Sequence, residues 1–591
     1  MSRGLIIIAA AVALSAAAGT ACVVRSHRAL SMTMDEPNHV AAGMEWLQYG
    51  TYSMWTENPP LPRVTAALGP YLAGARLPAP PAWDPGSAPP FISWILGGQV
   101  LYRDGSHARN LAQARVGNTI FFVLAVLFAG LLAGQAAQAG RPLAGGIAAV
   151  AVASLPPLLG HAALATTDVA FVAAFLFAVW SLVRWLDRPT LPRAAVLGLG
   201  VAAALLCKFT TLLFCPVAVL VFAAARVASG NGGRPWAVQA LLRTAAAALL
   251  VAAMTTWAGY RFSVGKVTDP RFISRYKATA LWQPVGQRAG VEALLTRWTL
   301  PAPELFHGLL HLRAHNRDGH PAYLAGRTSQ HGFRSFYPVA LFFKAPLPSL
   351  LLIVAGMAAL LARRRDGTVW RQLAPAATAV GLLAVLTASQ VNLGVRHALV
   401  VYPLLLATAA SGLARLLESL AGGRRVLAGL ACGGLLAGQQ ALALAAWPEH
   451  LSYFNALAGD EPGRILLDSD LDWNQGFRAL GAEARRRQIP GLQIAVRISS
   501  NQLCQEGLPP LTGLPPHQPT TGWIAIAENL YWGRTENWAL RDPCLNQTWG
   551  SEADRLPPGW YRWLHAHRPL WRGGGIRLYH LSSSSLAVRP R

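Results

Sequence analysis

The chain has 591 residues, of which 53% are hydrophobic and only 13% are charged. Soluble domains average about 25% charged residues, so the composition excludes an ordinary soluble enzyme and predicts a polytopic α-helical membrane protein. The formal net charge is +24, but no basic patch alternates with aromatic residues, so no nucleic-acid partner is expected. Arginines at helix ends beside anionic membrane lipids explain the charge.

The apolar segments predict about 11 transmembrane helices, since roughly 20 apolar residues cross a hydrocarbon core. The first follows Arg3 as a signal peptide would, but no clean cleavage site precedes the polar stretch after it. It is therefore interpreted as a retained helix. The predicted spans are 4–24, 117–139, 143–160, 168–186, 193–207, 209–226, 241–260, 337–361, 371–389, 398–418 and 424–447.

Short loops rich in arginine are expected on the cytoplasmic side of a membrane. Alternating the spans from a cytoplasmic N-terminus places four such loops inside, and these contain Arg184, Arg226–Arg243, Arg363–Arg365 and Arg424–Arg425. Most other polar residues fall together at span ends on the outer side. Transporters place ionisable groups on broken helices near mid-membrane, so this pattern favours an enzyme whose site lies at the outer interface.

The first external loop, residues 25–116, carries the acidic pair Asp35 and Glu36 directly after the first span. Charged residues beside a membrane are costly and are often functional; a solvated loop is the alternative. Apolar residues at helical spacing then predict a juxtamembrane helix that ends at Gly50 and lies along the interface. Asp35 would sit near its N-terminus, where the helix dipole keeps a carboxylate ionised.

Hydropathy falls after about residue 448, and strand and helix patterns follow. The predicted order is strand 464–473, helix 474–487, strand 492–499 and strand 522–530. This order indicates a small extracytoplasmic α/β domain over residues 448–591. A disulfide between Cys504 and Cys544 of this domain is consistent with an oxidising compartment.

A run of aspartates opens the C-terminal region. Asp468, Asp470 and Asp472 are spaced like the start of a calcium loop, but Trp473 and Ala479 stand where such a loop needs glycine and glutamate. The segment is therefore interpreted as structural or acceptor-facing, not as a calcium site.

Six sequence blocks occur in an order that resembles a known family. They are MDEPNHVAAGMEWLQYGTY with ENPPLPR, then GHAALATTDVAF, KFT, GHPAYLAGRTSQHGFRSFYPVALFFKAPLP, VNLGVRHALVVYPLL, and YFNALAG with LLDSDLDWNQG. Together they resemble bacterial glycosyltransferase family 39 proteins, the protein O-mannosyltransferase-like branch of the GT-C superfamily, which includes the lipid A aminoarabinose transferases. The resemblance covers about residues 30–480. It implies a GT-C fold and transfer of a sugar from a polyprenyl-phosphate carrier.

The resemblance also implies an acidic pair in the first external loop, which Asp35 and Glu36 match. From the chemistry of the transfer, Asp35 would be the catalytic base, and Glu36 would orient the acceptor or the base. In relatives an acidic residue and a lysine precede the two prolines; these positions are Glu57 and Asn58 here, so the phosphate contact of that lysine must come from elsewhere. In some members the acidic residue binds a divalent metal with a histidine, a role that His320 or His331 would fill. No other cofactor is expected.

The chemistry of sugar transfer needs the same residue types. A hydroxyl that attacks an anomeric carbon needs a carboxylate to accept its proton, and the departing lipid phosphate needs cations. A single carboxylate base predicts inversion at the anomeric carbon, because retention generally uses a second carboxylate. The candidate substrate and lipid-phosphate ligands besides Glu57 are Asp168, Lys208, Lys344, Arg396 and His397.

Structural alternatives remain for several of these residues. Asp168 could be a helix N-cap, and Lys208 could extend its ammonium to the membrane interface. Arg396 and Lys344 could anchor lipid headgroups.

The sequence thus predicts a GT-C transmembrane domain over residues 1–447, with a second large external loop at 261–336, followed by the C-terminal domain. The predicted function is a polyprenyl-phosphate-sugar-dependent glycosyltransferase of a bacterial inner (plasma) membrane, with its site and C-terminal domain on the extracytoplasmic side. Its partners would be the lipid-linked donor, membrane lipids, and a protein, lipid or glycan acceptor. The alternatives are a transporter or flippase of lipid-linked sugars and a non-catalytic subunit.

Overall fold

The computed structural model describes residues 3–78, 92–102, 105–137, 142–228, 238–267, 298–362, 369–496, 502–533 and 561–584. Parts of both large external loops and of the predicted cytoplasmic loops, including Arg363–Arg365, lie outside these ranges, as does Cys544. Cys504 is in a disulfide, and its predicted partner is outside the described residues.

Most of the described chain is helical, as the apolar segments predict. The helices, in chain order α1 to α20, are Arg3–Ala29, Glu36–Tyr49, Leu61–Leu72, Ile92–Tyr102, His107–Ala136, Pro142–Ala153, Pro156–Ala162, Asp168–Asp187, Leu191–Cys207, Thr211–Ala228, Val238–Gly259, Pro303–Asp318, Phe336–Lys344, Leu347–Leu361, Val369–Thr387, Val401–Ser419, Gly422–Ala445, Phe477–Arg486, Gln502–Gln505 and Glu528–Tyr531.

All predicted spans coincide with helices, but not all of them qualify as spans. Within the described ranges, 6 helices are long and apolar enough to cross a membrane, or up to 8 if each of two bent pairs is one span. The pair α6 and α7 bends by 62°, and the pair α13 and α14 bends by 108°; prolines lie at both breaks, at Pro156 and Pro346. The polytopic helical fold is confirmed, and the count of 11 is not.

Small residues let the central helices pack closely. A Cβ added at Gly356 of α14 would lie 2.2 Å from the Ala409 carbonyl oxygen of α16, and one at Gly412 would lie 2.1 Å from the Gly356 oxygen. Such close approach is typical of membrane helices, where van der Waals packing drives association. Helix α5 packs against α1, α6 and α8.

The predicted juxtamembrane helix is α2, and it ends at Gly50 in the left-handed conformation, with φ 71°. Residues 36–45 of this helix are all buried. Helices α3 and α4 cover it. The first external loop thus supplies its own apolar cover for α2, and the interfacial placement of this helix stays a prediction.

Within the described ranges, the strands form two short two-stranded sheets and one larger sheet. The two-stranded sheets are antiparallel and pair β1 (Val264–Gly265) with β2 (Leu300–Pro301) and β3 (Ala322–Leu324) with β4 (Arg327–Ser329). The sheet, in the order β6-β5-β7-β9-β8, contains β5 Leu492–Ala495, β6 Leu511–Gly513, β7 Gly522–Ala527, β8 Trp571–Gly573 and β9 Ile576–Leu581. Strand β5 runs parallel to β6 and β7, whereas β9 is antiparallel to β7 and β8.

The sheet confirms the predicted α/β character of the C-terminal region, with strands β5 and β7 and helix α18 close to the predicted positions. The strand predicted at 464–473 is wrong. This segment forms 3₁₀ turns at Pro462–Arg464 and Asp468–Asp470. The Asp468 carboxylate accepts a hydrogen bond from the Ser469 amide, a local contact that competes with pairing in a sheet.

A buried ion pair fixes the start of α2. Arg115 Nε and Nη2 donate to the two Glu36 oxygens at 2.7 and 2.8 Å, and both side chains are fully buried. The amides of Thr33 and Ala165 also donate to Glu36. The remaining Arg115 hydrogen bonds go to the carbonyls of residues 27, 30 and 31. One contact set therefore joins α1, α2, α5 and the loop before α8.

We expect Glu36→Gln to destabilise the fold, because the mutation leaves the Arg115 charge buried without its counter-charge. Breaking one partner of a buried pair costs roughly 3–5 kcal/mol. Thermal unfolding of the purified protein in detergent measures the effect. Glu483→Gln is the matched control, since Glu483 pairs with the exposed Arg486; equal melting temperatures for the two variants would contradict the prediction.

Candidate active site

Asp35 and Arg396 meet at the ends of helices that are distant in sequence. Arg396 Nη1 donates to Asp35 Oδ2 at 2.7 Å across 361 residues of chain. Asp35 is the residue just before α2, and Arg396 lies on the 3₁₀ turn Val395–His397 before α16. The contact brings the first external loop to the turn between α15 and α16, as the predicted topology requires.

A second ion pair, Asp168 with Lys208, lies in the same electrostatic environment. Lys208 Nζ donates to Asp168 Oδ1 at 2.6 Å, which joins the start of α8 to the residue after α9. His161 Nδ1 is 3.9 Å from Asp168 Oδ2. Burial lowers the pKa of Arg396, but the charges of Asp35 and Asp168 more than compensate, so that the net pKa is raised. Two carboxylates and two cationic side chains therefore form one charge cluster, here called the Asp35 cluster.

Side chains of the C-terminal region contact Arg396 and the turn that carries it. The Arg396 guanidinium lies 4.3 Å from the ring centre of Trp473, a cation–π contact. Asp470 Oδ1 accepts from the Val395 amide at 2.9 Å, and Ser469 Oγ donates to the Leu393 carbonyl at 2.6 Å. The aspartate segment 468–472, which sequence analysis interpreted as structural or acceptor-facing, thus contacts the turn Val395–His397, here called the arginine turn.

Lys344 binds the backbone of the same C-terminal segment. Its Nζ donates to the backbone carbonyls of Leu451 and Asp470 at 2.7 and 2.6 Å, and its side chain is buried beside the Phe454 ring. This environment does not favour the predicted role as a phosphate ligand. Lys344 instead stabilises the backbone of the segment that carries Asp470.

Glu57 lies in a neighbouring polar cluster with a histidine that sequence analysis did not select. His311 Nδ1 is 2.7 Å from Glu57 Oε1. Burial raises the pKa of Glu57, but His311, His315 and Arg63 more than compensate, so that the net pKa is lowered. Glu57 is therefore held as a carboxylate.

His39 connects this cluster to the Asp35 cluster. Arg63 Nε donates to His39 Nδ1 at 3.1 Å. Burial lowers the pKa of His39 well below its ordinary value, and Arg63 and Arg396 lower it further, against the opposing charge of Asp168. His39 is therefore neutral between the two groups of charges.

The histidines predicted to bind a metal with Glu57 have other contacts. His320 stacks on His315, with ring centres 5.4 Å apart, and His331 hydrogen-bonds to Gln390 at 2.9 Å. The histidine that meets Glu57 is His311. Among the described residues no group of three or more His, Cys, Asp or Glu could hold a metal ion, and no step below uses one.

The other predicted site residues take different positions. Glu36 is enclosed by Arg115, which favours a positioning role over direct catalysis. His397 is half-buried on the arginine turn. Its pKa is lowered well below the ordinary value by burial and by the charges of Lys208 and Arg396, against the opposing charge of Asp168. His397 is thus a neutral neighbour of the charge cluster. Asn58 is half-buried, and its carbonyl accepts from the Tyr52 hydroxyl.

Sequence reasoning missed several residues that shape the site, although most of them lie in the blocks that carry the family resemblance. These are His39, Arg63, Arg115, His161, His311 and Trp473. Arg115 could have been found from its partner, since a buried Glu36 requires a positive charge. His311 gave no signal, because a lone histidine on a helix is compatible with many roles.

The carboxylates of the candidate site differ in how much of each side chain is exposed to solvent. The Asp35 side chain is 32% exposed, compared with 11% for Glu57, 2% for Asp168 and 0% for Glu36. Asp35 is therefore the most exposed of these four carboxylates. Lys208 and Arg396 are also partly exposed, at 13% and 10%.

Comparisons with known proteins give fold likeness only. ArnT from Cupriavidus metallidurans bound to undecaprenyl phosphate is 12% identical, with 100% of both chains covered and a TM-score of 0.49. ArnT in the apo state is 11% identical, with 88% of this chain and 93% of that chain covered and a TM-score of 0.47.

The Archaeoglobus fulgidus oligosaccharyltransferase tethered with an acceptor peptide is 13% identical, with 74% of this chain and 55% of that chain covered and a TM-score of 0.46. No family model and no curated protein matches the chain. At these identities and scores the likenesses carry no argument about activity or substrate, which must come from the side chains.

The buried Asp470 carboxyl predicts a pH dependence of stability. Burial raises its pKa to about 6, from an ordinary value of 3.8. A raised pKa means that the folded state binds the proton more tightly, so this contribution is fully present below the ordinary value and is lost as pH rises through about 6. We expect the melting temperature to fall between about pH 4 and about pH 7, and Asp470→Asn to flatten that fall.

Thermal unfolding in detergent across this pH range measures the effect. Asp460→Asn is the control, because Asp460 is exposed in the same region of the chain, and it should keep the wild-type slope. An Asp470→Asn variant with an unchanged slope would show that Asp470 does not control the pH dependence.

Proposed function

We propose that this protein is an integral-membrane glycosyltransferase that moves a sugar from a polyprenyl-phosphate donor to an acceptor hydroxyl. The observation that carries the proposal is the charge cluster in which the partly exposed Asp35 carboxylate pairs with Arg396, while the neighbouring Lys208 pairs with Asp168. A base alone would suit many reactions. A base next to phosphate-binding cations at the ends of apolar helices suits a substrate that is both anionic and lipid-bound.

Asp35 is the base in this proposal. It accepts the proton of the acceptor hydroxyl while the acceptor oxygen forms a bond to the anomeric carbon. The bond from that carbon to the phosphate oxygen breaks, and its electron pair leaves with the lipid phosphate. Glu36 and Asp168 are buried and already bonded to cations. One accessible carboxylate favours a single displacement with inversion at the anomeric carbon.

Arg396 and Lys208 bind the donor phosphate in this proposal. Arginine binds phosphate through two parallel hydrogen bonds, whereas lysine acts as a compact charge. Each is paired with a carboxylate in the structure, so the cluster is close to neutral before the phosphate arrives. The phosphate would compete for these cations and so free the Asp35 oxygen that Arg396 now holds.

The protein would act at the extracytoplasmic face of a bacterial inner membrane, with the acceptor a protein, lipid or glycan. This placement follows from the arginine-rich loops at the opposite helix ends. Contacts agree with the division of the two ends: Arg371 and Asp187, both predicted near the cytoplasmic side, pair with each other.

We expect Asp35→Asn to lower sugar transfer by roughly 10²- to 10⁴-fold, the usual contribution of a general base. The amide is close in shape and can still accept from Arg396, so folding should be retained. The assay uses membranes or proteoliposomes supplied with a labelled prenyl-phosphate sugar and follows formation of the glycosidic bond. Asp318→Asn is the control, because Asp318 is exposed and pairs only with its neighbour Arg317 among the contacts described.

Two results would contradict the assignment. Undiminished transfer by Asp35→Asn would exclude Asp35 as the base. Movement of labelled donor across proteoliposomes by the wild type, without any new glycosidic bond, would identify a flippase instead.

We expect Trp473→Leu to lower turnover roughly 2- to 30-fold, since a cation–π contact contributes about 0.5–2 kcal/mol. Loss of the ring lets the Arg396 guanidinium leave the position that meets Asp35. Trp473→Phe keeps an aromatic face and should retain more activity than Trp473→Leu. Trp46→Leu is the control, because it removes a similar contact with Arg261 elsewhere; equal losses in all three variants would indicate general destabilisation.

A further inference from the structure

A second cavity lies outside the Asp35 cluster, at the end of α1. It is open on one side, its volume is about 1130 Å³, and it is lined by the last turns of α1 and α3, the first half of α5 and Trp447, which follows α17. These helix ends lie on the same side of the bundle as Asp35 in the predicted topology. The proposed transfer reaction does not use this cavity.

The cavity is basic. Arg25, Arg28 and Arg109 line it, and all three side chains are exposed. Arg25 stacks on Trp447, with its guanidinium carbon 4.4 Å from the ring centre. No carboxylate is among the lining residues, and within the described ranges no salt bridge joins an acid to these arginines. Three like charges around one space favour an anion between them.

Apolar side chains continue from the basic end. Val24, Leu72 and Val116 line the cavity and are exposed. On α5 the exposed stripe continues through Ile120 and Leu127, at the spacing that places residues on one helix face. A charged end joined to an apolar wall suits an amphiphile whose head binds arginine and whose chains lie against the helices.

This cavity is separated from the Asp35 cluster by buried structure. The segment 27–31 runs between them, and Arg115 binds three of its carbonyls on the side of Glu36. A donor phosphate held by Lys208 and Arg396 would not occupy the second cavity at the same time. An occupant of this cavity would therefore be distinct from the donor phosphate.

We propose that this cavity binds the phosphodiester headgroup of an anionic membrane phospholipid, such as phosphatidylglycerol, with its acyl chains along α3 and α5. Arg28 and Arg109 donate to the phosphate, and Arg25 is held beside it by Trp447. The proposal does not depend on the transfer reaction, because none of these residues belongs to the Asp35 cluster.

The bound lipid would stabilise the segment that leads to Asp35. The Arg28 carbonyl accepts from Arg478, and the Ser31 amide donates to the Gln475 carbonyl, so the end of α1 is held by the C-terminal region on one side. The lipid would hold its other side. Occupancy should therefore raise the melting temperature of the whole chain.

The test is native mass spectrometry of the full-length protein in detergent with added phosphatidylglycerol or phosphatidylcholine. We expect the wild type to retain a tightly bound phosphatidylglycerol and to bind phosphatidylcholine much more weakly. The double variant R28Q/R109Q removes two headgroup charges and should bind phosphatidylglycerol at least roughly tenfold more weakly, given the attraction of each basic residue for anionic lipid. Phosphatidylglycerol should also raise the melting temperature of the wild type and not that of the variant.

R424Q/R425Q is the matched control, because both arginines are exposed at the opposite end of α17; it should bind as the wild type does. Equal binding by R28Q/R109Q, or equal binding of phosphatidylcholine, would overturn the proposal. Displacement of the lipid by millimolar inorganic phosphate would assign the site to a free anion, and preferential displacement by farnesyl phosphate would assign it to a prenyl phosphate. Either result would also overturn it. Correct folding of the variant is checked by its melting temperature without lipid.

Discussion

The Glu36–Arg115 pair is the contact on which the geometry of the candidate site depends. Moving both charges out of water is costly, and the cost is offset only when geometry and additional hydrogen bonds are good. Here each Glu36 oxygen accepts from Arg115 and from a backbone amide. The pair fixes where α2 begins. Because Asp35 is the preceding residue, its side chain is directed away from this buried centre and toward Arg396.

Two adjacent acids therefore have different tasks. Side by side in water, two carboxylates would repel each other and raise each other's pKa. In this structure a separate arginine compensates each one, Arg115 for Glu36 and Arg396 for Asp35. The Glu36–Arg115 pair is fully buried, whereas the Asp35 carboxylate of the second pair is partly exposed to solvent. The difference in burial, rather than in residue type, separates a positioning acid from a candidate base.

The open pair is in turn supported by the C-terminal region. Asn529 of α20 accepts from the Asp468 amide and donates to the Asp472 carbonyl at 2.9 Å each. The segment between these two residues carries Asp470 below the arginine turn, and Trp473 follows it. The sheet and the membrane helices thus meet at the site. The C-terminal region is part of the catalytic architecture in the proposed function, and not an appended module.

Sequence patterns predicted this protein unevenly, for physical reasons. Hydropathy located the membrane helices because burial in lipid or in a helix bundle demands long apolar runs. Arginine-rich loops then placed Asp35, Lys208 and Arg396 on one side, and the structure brings them together. The strand predicted at 464–473 failed because its aspartates and Ser469 bond locally and to the arginine turn. A periodic pattern reports which face is buried, but not which distant group covers it.

The residues that could not be predicted are those defined by a partner. Glu36 and Arg115 are 79 residues apart, and neither position alone shows that it will be buried with the other. The same holds for Glu57, whose histidine partner comes from α12 rather than from the loop that follows it. Electrostatics explains why such pairs are nevertheless specific. A buried acid admits few alternatives, because it must lie against a cation, as Glu36 does, or hold its proton more tightly, as Asp470 does.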